Sequence, residues 1–231
     1  MIILGIETAT ETAGCAIGGH EGVISSAHCA KSRRHAENLT PAIDFICSQA
    51  GVDLSEIRVV SVDVGPGLFT GLRVGLATAK AIAFALRVPM IGVSSLDLLA
   101  FPVRFSPRLI VAAIDARRGE LYYAFYRQVP GGIQRLSSQA VGSPEDLASE
   151  LLATNEEILL VGDGAHRYSD VFEGLAKVEM VDQGNSTPSA SSLVQLAHAT
   201  ALREEFEQPD AIEPIYLRRP DAEINWATRH G

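Results

Sequence analysis

Residues Arg58–Pro89 read RVVSVDVGPGLFTGLRVGLATAKAIAFALRVP. The stretch predicts a strand, a glycine turn and a long helix. Arg58–Val64 is short, β-branched and bounded by glycine, the pattern of a buried strand. Gly65-Pro66-Gly67-Leu68-Phe69-Thr70-Gly71 then turns sharply into a helix expected from about Leu72 to Leu86. Three glycines and a proline in seven residues leave little side chain over the amides at the helix start. Such a turn suits a phosphate or the close approach of another chain segment, and its commoner role is tight strand-to-helix packing. The loop ends Gly71-Leu72-Arg73, which is not the Gly-Lys-Ser/Thr of a P-loop. Gly65, Gly67 and Gly71 are spaced one residue too long for a dinucleotide fingerprint.

The helix carries only two charges, Arg73 and Lys80, and fills its turns with Gly75, Ala77, Ala79, Ala81, Ala83 and Ala85. A helix that is apolar nearly all round has to be buried all round. At about 15 residues it falls short of the roughly 20 that span a bilayer, so its second face is expected against another subunit. Leu72, Arg73, Leu76, Ala79, Lys80 and Ala83 are the candidate partner-interface residues here, joined by Leu39 and Phe45 of the preceding helix. The row of Leu76 and Lys80 is expected to face outward, because a lone lysine is rarely buried within one domain.

The rest of the chain sets the class. Its 231 residues can hold one large domain or two small ones, and 47% apolar with 20% charged residues is the balance of a soluble globular protein. Lys plus Arg number 19 against 28 for Asp plus Glu, and a net charge of −9 argues against tight binding of nucleic acid by this chain alone. Cys15, Cys29 and Cys47 are odd in number and form no C-x-x-C. That suits a reducing compartment. The start lacks a basic n-region, so a cytoplasmic protein without signal peptide is expected.

Taken in order, strands at Ile2–Glu7, Gly14–Gly18 and Val23–Ala27 form a meander, and His35–Ala50 is an amphipathic helix. After the central stretch come a strand at Met90–Val93 and a short helix at Ser95–Phe101. The order then restarts. Strands are expected at Leu109–Asp115, Leu121–Val129 and Gln134–Val141, and Ser143-Pro144-Glu145-Asp146 is a strong helix start. A strand at Ile158–Val161, the turn Gly162-Asp163-Gly164, a helix near His166–Phe172, a strand at Val178–Val181 and a helix over Ser189–Glu204 follow. The repeat predicts an α/β fold of two lobes, residues 1–104 and 105–217, with 218–231 as a mobile tail. That element order resembles the duplicated ribonuclease H-like architecture of the actin, Hsp70 and sugar-kinase group, which is the fold expected.

Four segments carry a more specific resemblance: Gly5-Ile6-Glu7-Thr8-Ala9-Thr10, the loop from Gly65 to Arg73, Ile114-Asp115-Ala116-Arg117-Arg118-Gly119-Glu120, and Pro214-Ile215-Tyr216-Leu217-Arg218. Together they closely resemble the TsaB (YeaZ) family of accessory subunits in bacterial tRNA threonylcarbamoyladenosine synthesis. The resemblance implies a non-catalytic chain that pairs, through helices of its first half, with the larger relative TsaD. TsaD transfers threonylcarbamoyl to the adenosine beside the anticodon, and the ATPase TsaE joins the complex. It implies tRNA contact only through that complex, a homodimer when the chain is alone, and no membrane. No stably bound cofactor is expected, with ATP or ADP admitted at the complex interface. Glu7, Thr8, Thr10, Gly65, Gly67, Thr70, Gly71, Asp115 and Arg117 form the candidate nucleotide or interface loop.

In TsaD a His-x-x-x-His pair on the first helix holds a metal. Here the matching residues are His35-Ala36-Glu37-Asn38-Leu39, so the second ligand is leucine and no metal is expected. Glu7 stands where many ATPases of the group carry aspartate, and its longer side chain would push a cation outward. Two other readings compete: an active ATPase or small-molecule kinase of the same fold, and a glycoprotease-like metallopeptidase, for which no H-E-x-x-H is present.

Overall fold

The strands that open the chain are buried on both faces, so helices must cover each side of their sheet. The computed structural model describes residues 1–29 and 35–218. β1 (Ile2–Glu7), β2 (Ala13–Gly19), β3 (Gly22–Cys29), β4 (Ile57–Gly65) and β5 (Met90–Ser94) form a five-stranded sheet in the order β3-β2-β1-β4-β5. The meander is antiparallel, and β1, β4 and β5 run parallel. α1 (His35–Ala50) and α2 (Phe69–Leu86) cover one face, where Leu39, Ile43, Leu76 and Ala83 meet Leu4, Ile6, Val60 and Val62.

The second sheet repeats the plan. β6 (Leu109–Arg117), β7 (Glu120–Val129), β8 (Gly132–Arg135), β10 (Ile158–Val161) and β11 (Val178–Met180) lie in the order β11-β10-β6-β7-β8, and β9 (Ala140–Gly142) also pairs with β7. Read from its other edge, the sheet has the strand order and the directions of the first. The chain thus has the duplicated two-lobe ribonuclease H-like fold. α4 (Pro144–Thr154) starts at the expected place, with a reciprocal Ser143–Asp146 capping box.

Three expectations change. The strand over Gln134–Val141 is broken into β8 and β9, because the Ser137 hydroxyl takes the Phe125 amide that a continuous strand would have bonded. The helix near His166–Phe172 is two short helices, α5 (Asp163–Arg167) and α6 (Ser169–Phe172), divided at Tyr168 with φ −115°. α2 begins at Phe69 rather than Leu72 and runs 18 residues, so it is long and apolar enough to cross a membrane by length and composition. Shortness is therefore no argument against a bilayer. Its buried row, Leu72, Leu76, Ala79 and Ala83, is spent on the chain itself.

The two halves exchange helices. α3 (Ser95–Ala100) keeps Leu98 on Ile3, Val59 and Ile91 of the first sheet and puts Leu96, Leu99 and Ala100 against Ile110, Ala112 and Tyr126 of the second. α7 (Ala190–Leu202) returns, covering Ile3, Ala16 and Val59 with Ala190, Leu193, Val194 and Ala197. Gly18 permits the approach, since a Cβ there would lie 2.8 Å from Val194 Cγ1. Beyond α7 the chain first follows the first lobe and then reaches the second, where Leu217 packs on its core and Arg218 Nη1 donates to Glu120 Oε2 at 2.7 Å. Met90 and Glu207 exchange two backbone bonds of 2.9 Å, and Ile215 N donates to Val64 O at 2.7 Å. Of the expected tail only Arg218 is described; the rest, with Trp226, lies outside the described residues.

Candidate functional site

The glycine loop is locked onto the first hairpin. Leu68 N donates to Ala9 O at 2.7 Å, and the Thr8 hydroxyl donates to Gly71 O at 2.8 Å. Gly67 fits only without a side chain, because its Cβ would stand 2.2 Å from Ala9 O. Glu7 is fully buried; its carboxylate accepts from Ala9 N at 2.7 Å and from the Thr12 hydroxyl at 3.5 Å. Thr10 shares a hydrogen bond with Thr12 at 2.9 Å, and Thr70 is left exposed.

The second hairpin meets the first across the lobes. Asp115 accepts from Arg117 N at 2.9 Å, and its other oxygen lies 3.1 Å from Arg117 Nη1 and 3.2 Å from Arg167 Nε. The second guanidinium nitrogen of Arg117 bonds to Glu11 of the first hairpin. Asp163 accepts from Asp115 N at 3.1 Å, and burial pushes its carboxyl above the usual range. Gly162 packs on Ala113 O, which a Cβ would approach to 2.0 Å. The structure therefore brings the predicted loop residues together, as packing partners of one another. They do not fit a metal–phosphate group: the Glu7 oxygens serve the hairpin backbone and Thr12, the space over Gly67 holds Ala9, and Arg117 is engaged with two carboxylates. Among the described residues no three His, Cys, Asp or Glu side chains stand close enough to share a metal.

Asp63 escapes a motif-based reading. Its signal in the sequence is a single carboxylate within the apolar run of β4. The register pairs Ile6 with Val62, which sets Asp63 beside Glu7 at the ends of neighbouring parallel strands. One Asp63 oxygen accepts from Gly65 N at 2.7 Å and from the Ser95 hydroxyl at 2.6 Å; Oδ2 is buried with no hydrogen-bond partner among the described residues. Burial pushes the Asp63 carboxyl up to about 7, and burial together with the Asp63 charge holds Glu7 well above the carboxylate range.

The expected partner face needs correcting. Leu39, Leu72, Leu76, Ala79 and Ala83 are all buried inside the chain, the most accessible being Leu76 at 8%. The reason is Gly71 and Gly75: α2 turns its smallest residues to the hairpin, Thr8 included, and Leu72, Leu76 and Ala79 follow inward. The outward row is Ala77 and Ala81 with Phe84, which is 59% exposed. With α1 it bounds an open groove of about 850 Å³ lined by Ile43, Asp44, Cys47, Ala77, Ala81 and Ile82. Phe45 is exposed, Lys80 half-buried, and Arg73 exposed with its guanidinium 3.8 Å over Phe69 and Nε 3.3 Å from the Tyr216 hydroxyl.

The family model described as TsaD, tRNA N6-adenosine threonylcarbamoyltransferase, matches residues 27–226. The tRNA threonylcarbamoyladenosine biosynthesis protein TsaB of Escherichia coli is 30% identical over 221 residues, 94% of this chain and 95% of that protein. TsaB of Bacillus subtilis is 29% identical over 98% of each. The solved structure of YeaZ from Pseudomonas aeruginosa superposes with a TM-score of 0.81 at 29% identity, covering 94% of this chain and 99% of that one.

Proposed function

Since the chain belongs to the TsaD family, on its TsaB (YeaZ) branch, we propose that it serves tRNA threonylcarbamoyladenosine synthesis as a non-catalytic subunit docked on a TsaD-like catalytic chain. The observation behind this reading is a contrast. The polar groups of the two hairpins are spent on their own turns, on the glycine loop and, through Arg117 and Glu11, on each other, while the outer face of α1 and α2 is apolar, grooved and open. An exposed apolar groove of this kind favours a protein partner. Alone, the chain pairs with itself through the same face; in the assembly a TsaE-like ATPase joins, and any ATP or ADP lies at the joint surface. With a net charge of −9, tRNA is held by the complex and not by this subunit. The reading places the protein in the cytoplasm.

The test is reconstitution of tRNA modification by TsaD-like and TsaE-like proteins with and without this chain, and with an Ala81→Arg variant. Modification should require the chain and be lost with Ala81→Arg, whose circular dichroism should match the wild type. Full modification without the chain would overturn the proposal. Steady ATP hydrolysis by the isolated chain would favour the ATPase or kinase reading instead.

A further inference from the structure

Glu7 and Asp63 form a pair that the docking role does not use. They stand side by side at the ends of β1 and β4, both fully or almost fully buried, with exposures of 0% and 2%. Their hydrogen bonds come from uncharged donors: Ala9 N and the Thr12 hydroxyl for Glu7, Gly65 N and the Ser95 hydroxyl for Asp63. Asp63 Oδ2 has no donor among the described residues. Among the described residues the surrounding elements bring no compensating cation. α3 adds Ser95 and the acidic Asp97, whose charge also acts on Asp63. β2 and β5 are without charged residues, and the first turn of α7 is Ala190-Ser191-Ser192-Leu193. α2 offers Gly71 and Gly75 on this side, with Arg73 exposed and Lys80 half-buried. Across the lobes, Arg117 is engaged with Asp115 and Glu11.

Two ionised carboxylates in such a place would be buried, adjacent and uncompensated, a strongly disfavoured state. We propose that Glu7 and Asp63 hold one proton between them at neutral pH, so that the pair carries a single charge and ties the ends of β1 and β4 to Ser95 of α3. Because α3 packs on the second sheet, the shared proton sits where the two lobes are joined.

Both carboxyls are raised in the folded chain, with Asp63 at about 7. The stability they contribute is fully present below ordinary carboxylate values and is lost as pH rises through about 7. Thermal unfolding followed from about pH 5 to about pH 8.5 should show the wild-type midpoint falling by several degrees relative to Asp63→Asn, with Glu7→Gln behaving likewise. Parallel profiles for wild type and variants would overturn the proposal. Should either variant fail to fold, ¹³C-carboxyl NMR of the wild type decides: one protonated and one ionised carboxyl near pH 7 supports the pair, and two ionised or two protonated carboxyls refute it. Magnesium chloride added alone at about pH 8 gives a further arm. A saturating rise in the wild-type midpoint that Asp63→Asn lacks would mean that a cation, not a proton, neutralises the pair, and would also overturn it.

Discussion

Gly67 and Arg87 bracket what single residues decide in this fold. At Gly67 a methyl group would press on the Ala9 carbonyl, so Gly67→Ala should separate the loop from the hairpin and strain the Leu68–Ala9 hydrogen bond. A loss of about 1–3 kcal/mol is expected by urea unfolding, the range of overpacking substitutions. Arg87 ends α2 in the left-handed region, at φ 56°. Arg87→Gly should therefore raise stability by about 0.5–1 kcal/mol in the same assay. The sequence made the loop conspicuous, because glycine and proline cluster there, and in the structure it packs on the first hairpin. Asp63 was harder to see. One carboxylate in an apolar strand looks alike whether it reaches solvent at a strand end or is sealed, and only the placement of Glu7 and α3 decides.

At the scale of elements, α2 shows how a helix can be legible while its orientation is not. Glycines, alanines and leucines recur around its whole circumference, so apolar periodicity alone picks no face. The inward side is fixed by the Thr8 hydrogen bond to Gly71 O and by Gly75, where a Cβ would stand 2.2 Å from Thr8 Oγ1. Leu76→Glu should therefore unfold the chain, burying a charge in the α1–α2 core at a cost of more than about 4 kcal/mol. Ala81→Arg, on the groove, should leave secondary structure intact and abolish pairing. Circular dichroism beside light scattering on each variant separates the two outcomes. Two folded, unpaired variants would contradict the burial of Leu76.

For the whole molecule, duplication was readable from element order because strand period and glycine turns repeat in both halves. The helix exchange was not readable. α3 and α7 are apolar enough for either sheet, and their destinations depend on surfaces made by distant strands. Residues 1–104 and 105–218 expressed separately should accordingly give poorly folded chains by heteronuclear NMR, while co-expression should restore dispersed spectra. The exchange also bears on the order of synthesis. β5 is complete at Ser94, yet the helix that closes the other face of its sheet ends at Leu202, roughly a hundred residues later. At about 5–20 residues per second the nascent first sheet waits on the order of 5–20 s with that apolar face covered only where Leu98 of α3 reaches it. A premature stop after Pro188 would leave every strand of the first sheet in place and still take away its cover.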